Sequence, residues 1–207
     1  MAKIHNKHNR IILIGICATI SILILLSTGC NSKVDEKCQK SIAMVISNMF
    51  TCPNSEVIQY LEEPIVGVPD SKNSDVIIGG TNENYEKYID TNYIPYMTQE
   101  ALTIFRQSFN DVRYHSIANE SGHTISVKSI RAVQQKESTA NYTKSEKAKR
   151  IITYEFSAIL LCGPKDGQQS EYQISGSAYC TPEGFVSYFR ILNDGGIRDL
   201  LIKKINQ

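Results

Sequence analysis

The apolar pattern of this chain changes its period once, near residue 122, and this change limits the folds available to it. Before that point apolar residues recur every three or four positions, as on one face of a helix. After it they alternate with polar residues, as in half-buried strands. Helices followed by an antiparallel meander predict an α+β fold, with helices on a single face of a roughly four-stranded, curved sheet. The 207 residues suit one domain.

Four helices are predicted in the first half. A capping box at Ser32 and Asp35 starts a helix near 33–51, and Pro53-Asn54-Ser55 starts a short one that ends at Glu63 before a proline. A third spans about 82–93, and Thr98 caps the fourth. The stretch 64–81 has two prolines, three glycines and no clear period, so we expect a long surface loop.

The second half predicts strands near 125–132, 152–160, 172–180 and 185–192. A shift of parity indicates a bulge near Lys128 and Ser129, and Gly176 would let the sheet curve. Residues 134–147 and 163–170 are expected to be polar hairpin loops. A turn at 193–196 leads into a short last helix, whose predicted inward residues are Ile197, Leu200, Leu201 and Ile205.

The amino terminus has the plan of an export signal. Lys3, Lys7 and Arg10 precede an apolar run at 11–26, and the run ends in Leu26-Ser27-Thr28-Gly29-Cys30. This ending resembles the lipobox of bacterial lipoproteins, in which small residues precede the cysteine that receives the lipid. We therefore predict a signal peptide at 1–29, a lipidated Cys30 with a tether at 30–37, and a single domain at 38–207. The alternative is an uncleaved transmembrane helix.

Both alternatives anchor the chain in the cell membrane with its folded part on the extracytoplasmic side. Residues 30–207 carry 19 basic and 21 acidic side chains, a formal net charge of −2. Nucleic-acid binding needs clustered Lys and Arg, so this balance disfavours it. The expected partner is the membrane, through lipid on Cys30, together with an unidentified protein or small ligand.

Three segments carry a resemblance to a known group of proteins: MFTCPNSEVIQYL, YIPYMTQEAL and RILNDGG. They resemble small uncharacterised lipoproteins of low-GC Gram-positive bacteria, whose domain is similar to the nuclear-transport-factor-like (cystatin-like) cone. Cys52 stands where that pattern has a small residue, often glycine. The resemblance implies a pocket at the mouth of a cone, which such folds use for enzymes, for small-ligand binding and for protein docking.

Tyrosines at helical spacing are the candidate ligand-binding residues: Tyr88, Tyr93 and Tyr96. Asp90 and His115 could join them in a catalytic pocket, but no nucleophile, base and orienting group can be identified from spacing, so no catalytic residue is assigned. His115 and His123 lack metal-ligand spacing and are expected to be surface or edge residues. No metal site and no cofactor is predicted.

Four further cysteines lie in the predicted domain: Cys38, Cys52, Cys162 and Cys180. Cys38 and Cys52 lie near opposite ends of one predicted helix, about 20 Å apart, and cannot bridge each other. Cys162 and Cys180 lie far apart along one hairpin. Buried free thiols are expected; the alternative is a disulfide that joins the helical layer to the sheet.

Two classes of function remain open. The favoured one is a non-enzymatic surface module that uses the cone mouth, the 64–81 loop and the tyrosine-rich helix to hold a protein or a small ligand. The alternatives are a pocket enzyme of the dehydratase or isomerase type and a structural component of an envelope or conjugation assembly. An ionisable side chain with a displaced pKa in an apolar pocket would distinguish the enzyme from the binding module.

Overall fold

A computed structural model describes residues 33–62, 67–70, 73–80, 82–140 and 149–207, and gives side chains for these except at 67–80, 139, 140 and 149. The predicted signal peptide, the predicted cap residue Ser32 and Cys30 lie outside the described residues. The helices are α1 (Lys33–Phe50), α2 (Ser55–Glu62), α3 (Glu83–Asn92), α4 (Gln99–Gln107), α5 (Arg113–Glu120) and α6 (Ile197–Ile205). The strands are β1 (Gly67–Asp70), β2 (Asn73–Gly80), β3 (His123–Ala140), β4 (Lys149–Pro164), β5 (Ser170–Cys180) and β6 (Val186–Asn193).

The main sheet is an open antiparallel meander of four strands in the order β3-β4-β5-β6. The α+β class and the four-stranded antiparallel sheet are thus confirmed. The predicted bulge is present, since the β3–β4 register shifts between Val127 and Ser129. A second shift between Gln134 and Lys136 was not predicted.

Helix α1 packs against β3 and is attached to the sheet at both ends. Near its start, the buried Tyr154 hydroxyl on β4 donates a 2.7 Å hydrogen bond to Asp35. Just beyond its end, Cys52 exchanges two backbone hydrogen bonds with Ile125 on β3, of 2.9 and 2.7 Å. Apolar residues at helical spacing form one face of α1 between these points, and this face is fully buried: Cys38, Ile42, Val45, Ile46, Met49 and Phe50.

The predicted caps of the short helices are confirmed. Asn54 Oδ1 accepts the amide of Glu56 at 2.8 Å at the start of α2, and Thr98 Oγ1 accepts that of Ala101 at 3.3 Å at the start of α4. These side chains satisfy amides that have no partner within the helix.

Two predicted loops were wrong. Residues 64–81 contain the β1–β2 hairpin, with Gly67 paired to Gly80. Residues 134–140 belong to β3, and the Glu137 and Arg150 side chains form an ion pair between β3 and β4. Backbone pairing needs no apolar alternation, so ribbons with little buried surface escape a search for periodicity.

Helix α5 was not predicted, because its first turn lacks a side-chain cap and its buried residues include polar ones, Tyr114 and His115. In α6, Ile197 and Leu201 are buried as predicted and Leu200 is partly buried. Ile205 is exposed, contrary to prediction, because it lies in the last turn of the helix, two residues from the end of the chain.

Candidate functional site

Two of the three predicted ligand-binding tyrosines lie together in the core. Tyr88 on α3 and Tyr93 just after it are 4% and 0% exposed, and their ring centroids lie 6.1 Å apart. Tyr96 lies elsewhere, half-buried in a shallow surface depression beside Lys37 and Phe185. The structure therefore places one of the three at the surface.

A buried carboxyl group stands near the core tyrosines. Asp111, in the turn before α5, is 1% exposed, and its Oδ2 accepts a hydrogen bond from the Tyr85 hydroxyl. Its Oδ1 has no well-aligned partner among the described residues. Burial raises the pKa of Asp111, against the opposing effect of the Tyr85 hydrogen bond.

An ion pair covers one side of this cluster. The Arg106 guanidinium on α4 binds the Glu86 carboxylate on α3 through two hydrogen bonds, of 3.0 and 2.5 Å. Its central carbon lies 5.2 Å from the centroid of the Tyr85 ring. Burial raises the pKa values of Tyr85, Tyr88 and Tyr93, so the three phenols are neutral at pH 7.

A groove of about 330 Å³ lies on another side of α4. We call it the α4–β6 groove; it is bounded by α4, α5 and β6, with the last turn of α1 at its base. Its lining is Met49, Met97, Ala101, Ile104, Phe105, Ser108, Asn110, Arg113, Tyr114, Ser187, Tyr188, Phe189, Arg190 and Ile191. This volume is within the range of small-molecule sites in proteins.

The charged residues that line the α4–β6 groove are all positive. Arg113 and Arg190 line it, and no Asp or Glu is among its lining residues. Arg113 Nη2 donates a 2.5 Å hydrogen bond to the Ser108 carbonyl, which fixes one guanidinium at the rim. Ile104 is 62% exposed, although it is a large apolar residue. The groove therefore offers an apolar surface with the Arg113 guanidinium at its rim.

Phe105 connects the groove to the buried tyrosines. Its ring centroid lies 5.4 Å from that of Tyr93 and 5.9 Å from that of Phe189, which stacks on Phe156 at 5.0 Å. Tyr93 thus supports the groove wall from behind, although it does not line the groove. Asp111 does not line it either.

The histidine prediction was wrong for His115, which is 1% exposed. Its Nδ1 accepts the Asn54 amide at 3.0 Å, and its Nε2 lies 3.0 Å from the Asn48 carbonyl, which requires a proton on Nε2. Burial lowers the pKa of His115. His123 lies at the start of β3 and is 9% exposed. Asp90 is exposed on α3.

Within the part of the chain that the structure describes, no group of three or more His, Cys, Asp or Glu side chains is placed to hold a metal ion. Over the same residues, no helix is both long and apolar enough to cross a bilayer.

Sequence reasoning missed Asp111, Arg113 and Arg190. Asp111 and Arg113 flank the start of α5, the unpredicted helix, and Arg190 is a polar residue in a strand, an ordinary occurrence in a half-exposed sheet. The sequence signal for Asp111 and Arg113 is the order Asp-Val-Arg-Tyr-His at 111–115, which puts four charged or titratable residues out of five between a helix and a strand.

Comparison of the chain with protein-family models, curated proteins and solved structures finds no match.

Proposed function

We propose that this protein is a lipid-anchored extracytoplasmic binding module, and that the α4–β6 groove holds a small ligand with an anionic group and an apolar body. The observation that carries the proposal is a largely apolar groove with the Arg113 guanidinium held at its rim and no Asp or Glu among its lining residues. A bound anion would neutralise the Arg113 guanidinium, and its apolar body would cover Ile104 and Phe105.

The placement of Asp111 favours binding over an enzyme of the dehydratase or isomerase type. An enzyme of that type needs its displaced carboxyl group within reach of the substrate. The pKa of Asp111 is raised, but the groove lining does not include it. Tyr114 does line the groove, and its hydroxyl donates to Asp194 at 3.1 Å, so it acts there as a neutral donor.

We also propose that the sheet curves into a nuclear-transport-factor-like cone. Its support is the two register shifts in β3 and the two between β5 and β6, because irregularities of this kind bend a strand. A crystal structure that shows a flat sheet would contradict it.

The groove is tested with 8-anilinonaphthalene-1-sulfonate, a fluorescent apolar anion. The full chain in detergent should bind the probe, and Arg113→Ala should raise Kd about tenfold, because a charge-assisted hydrogen bond is worth about 1.5 kcal/mol. Arg190→Ala should change Kd less, because Arg190 is exposed and alternates on β6 with Phe189, which faces α4. Arg131→Ala is the matched control, since Arg131 is exposed on β3 and does not line the groove. Equal affinity for all four proteins would rule out the groove.

Native mass spectrometry of the same protein, compared with denaturing mass spectrometry, then identifies the natural ligand. Extra mass that is lost on denaturation and reduced in Arg113→Ala would be the ligand of the groove. Extra mass that Arg113→Ala and Arg190→Ala both retain would place the ligand elsewhere.

The anchor is tested by labelling expressing cells with radioactive palmitate. Wild type and Cys17→Ala should incorporate label, while Cys30→Ala should not, because only Cys30 follows small residues at the end of the apolar run. Label in Cys30→Ala, or none in wild type, would reject lipidation at this residue.

A further inference from the structure

The four described cysteines form two neighbouring pairs, each with one member outside the meander and one on it. All four are free thiols and are at most 3% exposed. Cys38 on α1 lies beside Cys180 at the end of β5, and Cys52 after α1 lies near Cys162 on β4. The two pairs differ in geometry, and the geometry of only one of them suits a disulfide.

The backbone around Cys38 is held against the end of β5. Cys38 Sγ lies 3.7 Å from the carbonyl oxygen of Thr181, the residue next to Cys180. A Cβ atom built on Gly184 would come within 2.6 Å of Lys37 Cβ, so the turn after β5 touches α1 one residue before Cys38. The Asp35–Tyr154 hydrogen bond fixes the same turn of α1 from β4.

The Cys38 and Cys180 thiols are close enough to affect each other's ionisation. That contact lowers the pKa of Cys38 and raises the pKa of Cys180. The 3.7 Å contact of Cys38 Sγ with the carbonyl of the residue after Cys180 places the two thiols side by side, as a disulfide requires.

Cys52 and Cys162 are separated by a strand. Cys52 pairs with Ile125 through backbone hydrogen bonds, and Ile125 pairs with Cys162 in the β3–β4 register. Two strand spacings put their Cα atoms about 10 Å apart, beyond the roughly 7 Å limit for a disulfide. Cys52 Sγ instead donates to the Met49 carbonyl at 3.1 Å.

We propose that Cys38 and Cys180 form a disulfide that fastens the first half of α1 to the end of β5, while Cys52 and Cys162 remain thiols. The oxidant is a small-molecule or protein disulfide. Exchange joins the two sulfurs, transfers their two hydrogens to the oxidant and releases it as two thiols. Both thiols are fully buried, so exchange takes place while the chain folds. The bond would belong to the oxidising side of a membrane, which is where the proposed function places the domain.

The test follows each cysteine separately and assumes nothing about export. The full chain is reduced and unfolded, then refolded with mixed reduced and oxidised glutathione, alkylated with iodoacetamide under denaturing conditions and digested with trypsin. Lys40 separates Cys38 from Cys52, and Lys165 separates Cys162 from Cys180, so each of these four cysteines lies on its own peptide, apart from the peptide 11–33 that carries Cys17 and Cys30. We expect a linked pair of peptides 38–40 and 166–190, lighter by two hydrogens than their sum, with Cys52 and Cys162 alkylated.

Two variants and one measurement complete the test. Cys38→Ala should leave Cys180 alkylated without a new link, whereas Cys52→Ala should leave the 38–180 link intact. Reduction should lower the Tm of wild type by about 5–15 °C and leave that of Cys38→Ala unchanged. Alkylation of all four residues in refolded wild type, or a link that joins Cys52 to Cys162, would overturn the proposal.

Discussion

At the scale of single residues, Asp111 is a carboxyl group whose surroundings disfavour its charge. It is 1% exposed, and Tyr85 is the only side chain that donates a hydrogen bond to it among the described residues. Burial raises its pKa, so the folded state binds the proton more readily than the unfolded chain. Its contribution to stability is therefore present at low pH and is lost as pH rises through the folded pKa.

Asp111→Asn should stabilise the protein at pH 8. The amide keeps the shape of the side chain and can still accept the Tyr85 hydrogen bond, but it carries no charge to desolvate. We expect the free energy of unfolding in urea to rise by roughly 1–2 kcal/mol at pH 8 and by less as the pH is lowered through the folded pKa of Asp111.

Asp194→Asn is the matched control. Asp194 accepts a hydrogen bond from Tyr114, but it is half-exposed, so its replacement should change the free energy of unfolding by less than about 0.5 kcal/mol over the same pH range. A loss of stability in Asp111→Asn at pH 8 would mean that the charge is compensated, contrary to this account. If Asp111→Asn gains stability and still binds 8-anilinonaphthalene-1-sulfonate with unchanged affinity, Asp111 is separate from the groove.

At the scale of helices and strands, sequence reasoning succeeded where one face of an element is buried. Helix α1 and strands β4 and β5 carry their apolar residues at the required spacing, and the structure confirms them. It failed for the β1–β2 hairpin and for the polar ends of β3 and β4, where backbone pairing forms the ribbon. The buried tyrosines were placed on the right helix, yet burial of a tyrosine depends on contacts from distant elements, such as Phe105, that a local pattern does not contain.

The sheet needs glycine at position 176 for two reasons, of which the sequence predicted one. A glycine was expected to let the sheet curve, and the β5–β6 register does shift beside it. In addition, a Cβ atom at this position would lie 2.2 Å from the Arg190 carbonyl oxygen and 2.3 Å from Phe156 Cζ. The requirement for glycine therefore also comes from close approach of a neighbouring strand and a stacked ring, which one sequence cannot show.

Helix α4 gives a prediction at this scale, because it carries both a capping threonine and an interior one. Thr98→Ala should lower the free energy of unfolding by about 1 kcal/mol, since the Ala101 amide loses its acceptor. Thr103→Ala is the control: Thr103 is exposed within the helix, and alanine has the higher helix propensity there. Chemical denaturation measures both, and equal losses would mean that the cap contributes nothing.

At the scale of the whole molecule, His115 joins three helices through one neutral ring. It lies on α5, receives the amide of Asn54 at the start of α2 and contacts the carbonyl of Asn48 on α1. Protonation of Nδ1 would remove the acceptor for the Asn54 amide and place a charge in the core. The connection among the helices therefore depends on the protonation state of a single side chain.

This dependence predicts that global stability falls in mild acid. Burial lowers the pKa of folded His115, whereas the unfolded ring titrates near pH 6.5, so below about pH 6.5 the unfolded state binds more protons. The contribution of His115 is complete above that pH and is lost, by at most about 1.4 kcal/mol per pH unit, as pH falls toward the folded pKa. The raised pKa of Asp111 acts in the opposite direction, so wild type alone cannot isolate the effect.

His115→Phe isolates it, because the variant keeps a ring of similar size and cannot titrate. It should be less stable than wild type at pH 7.5 by about 2–4 kcal/mol, from two lost hydrogen bonds in the core. The difference in free energy of unfolding between wild type and His115→Phe should narrow steadily from pH 6.5 to pH 5, because wild type loses stability that the variant does not have. His123→Phe is the control, since His123 bonds only the nearby Ser121 carbonyl among the described residues. Urea denaturation at four pH values measures all three proteins, and a gap of constant size would show that His115 stays neutral in both states or is charged in both.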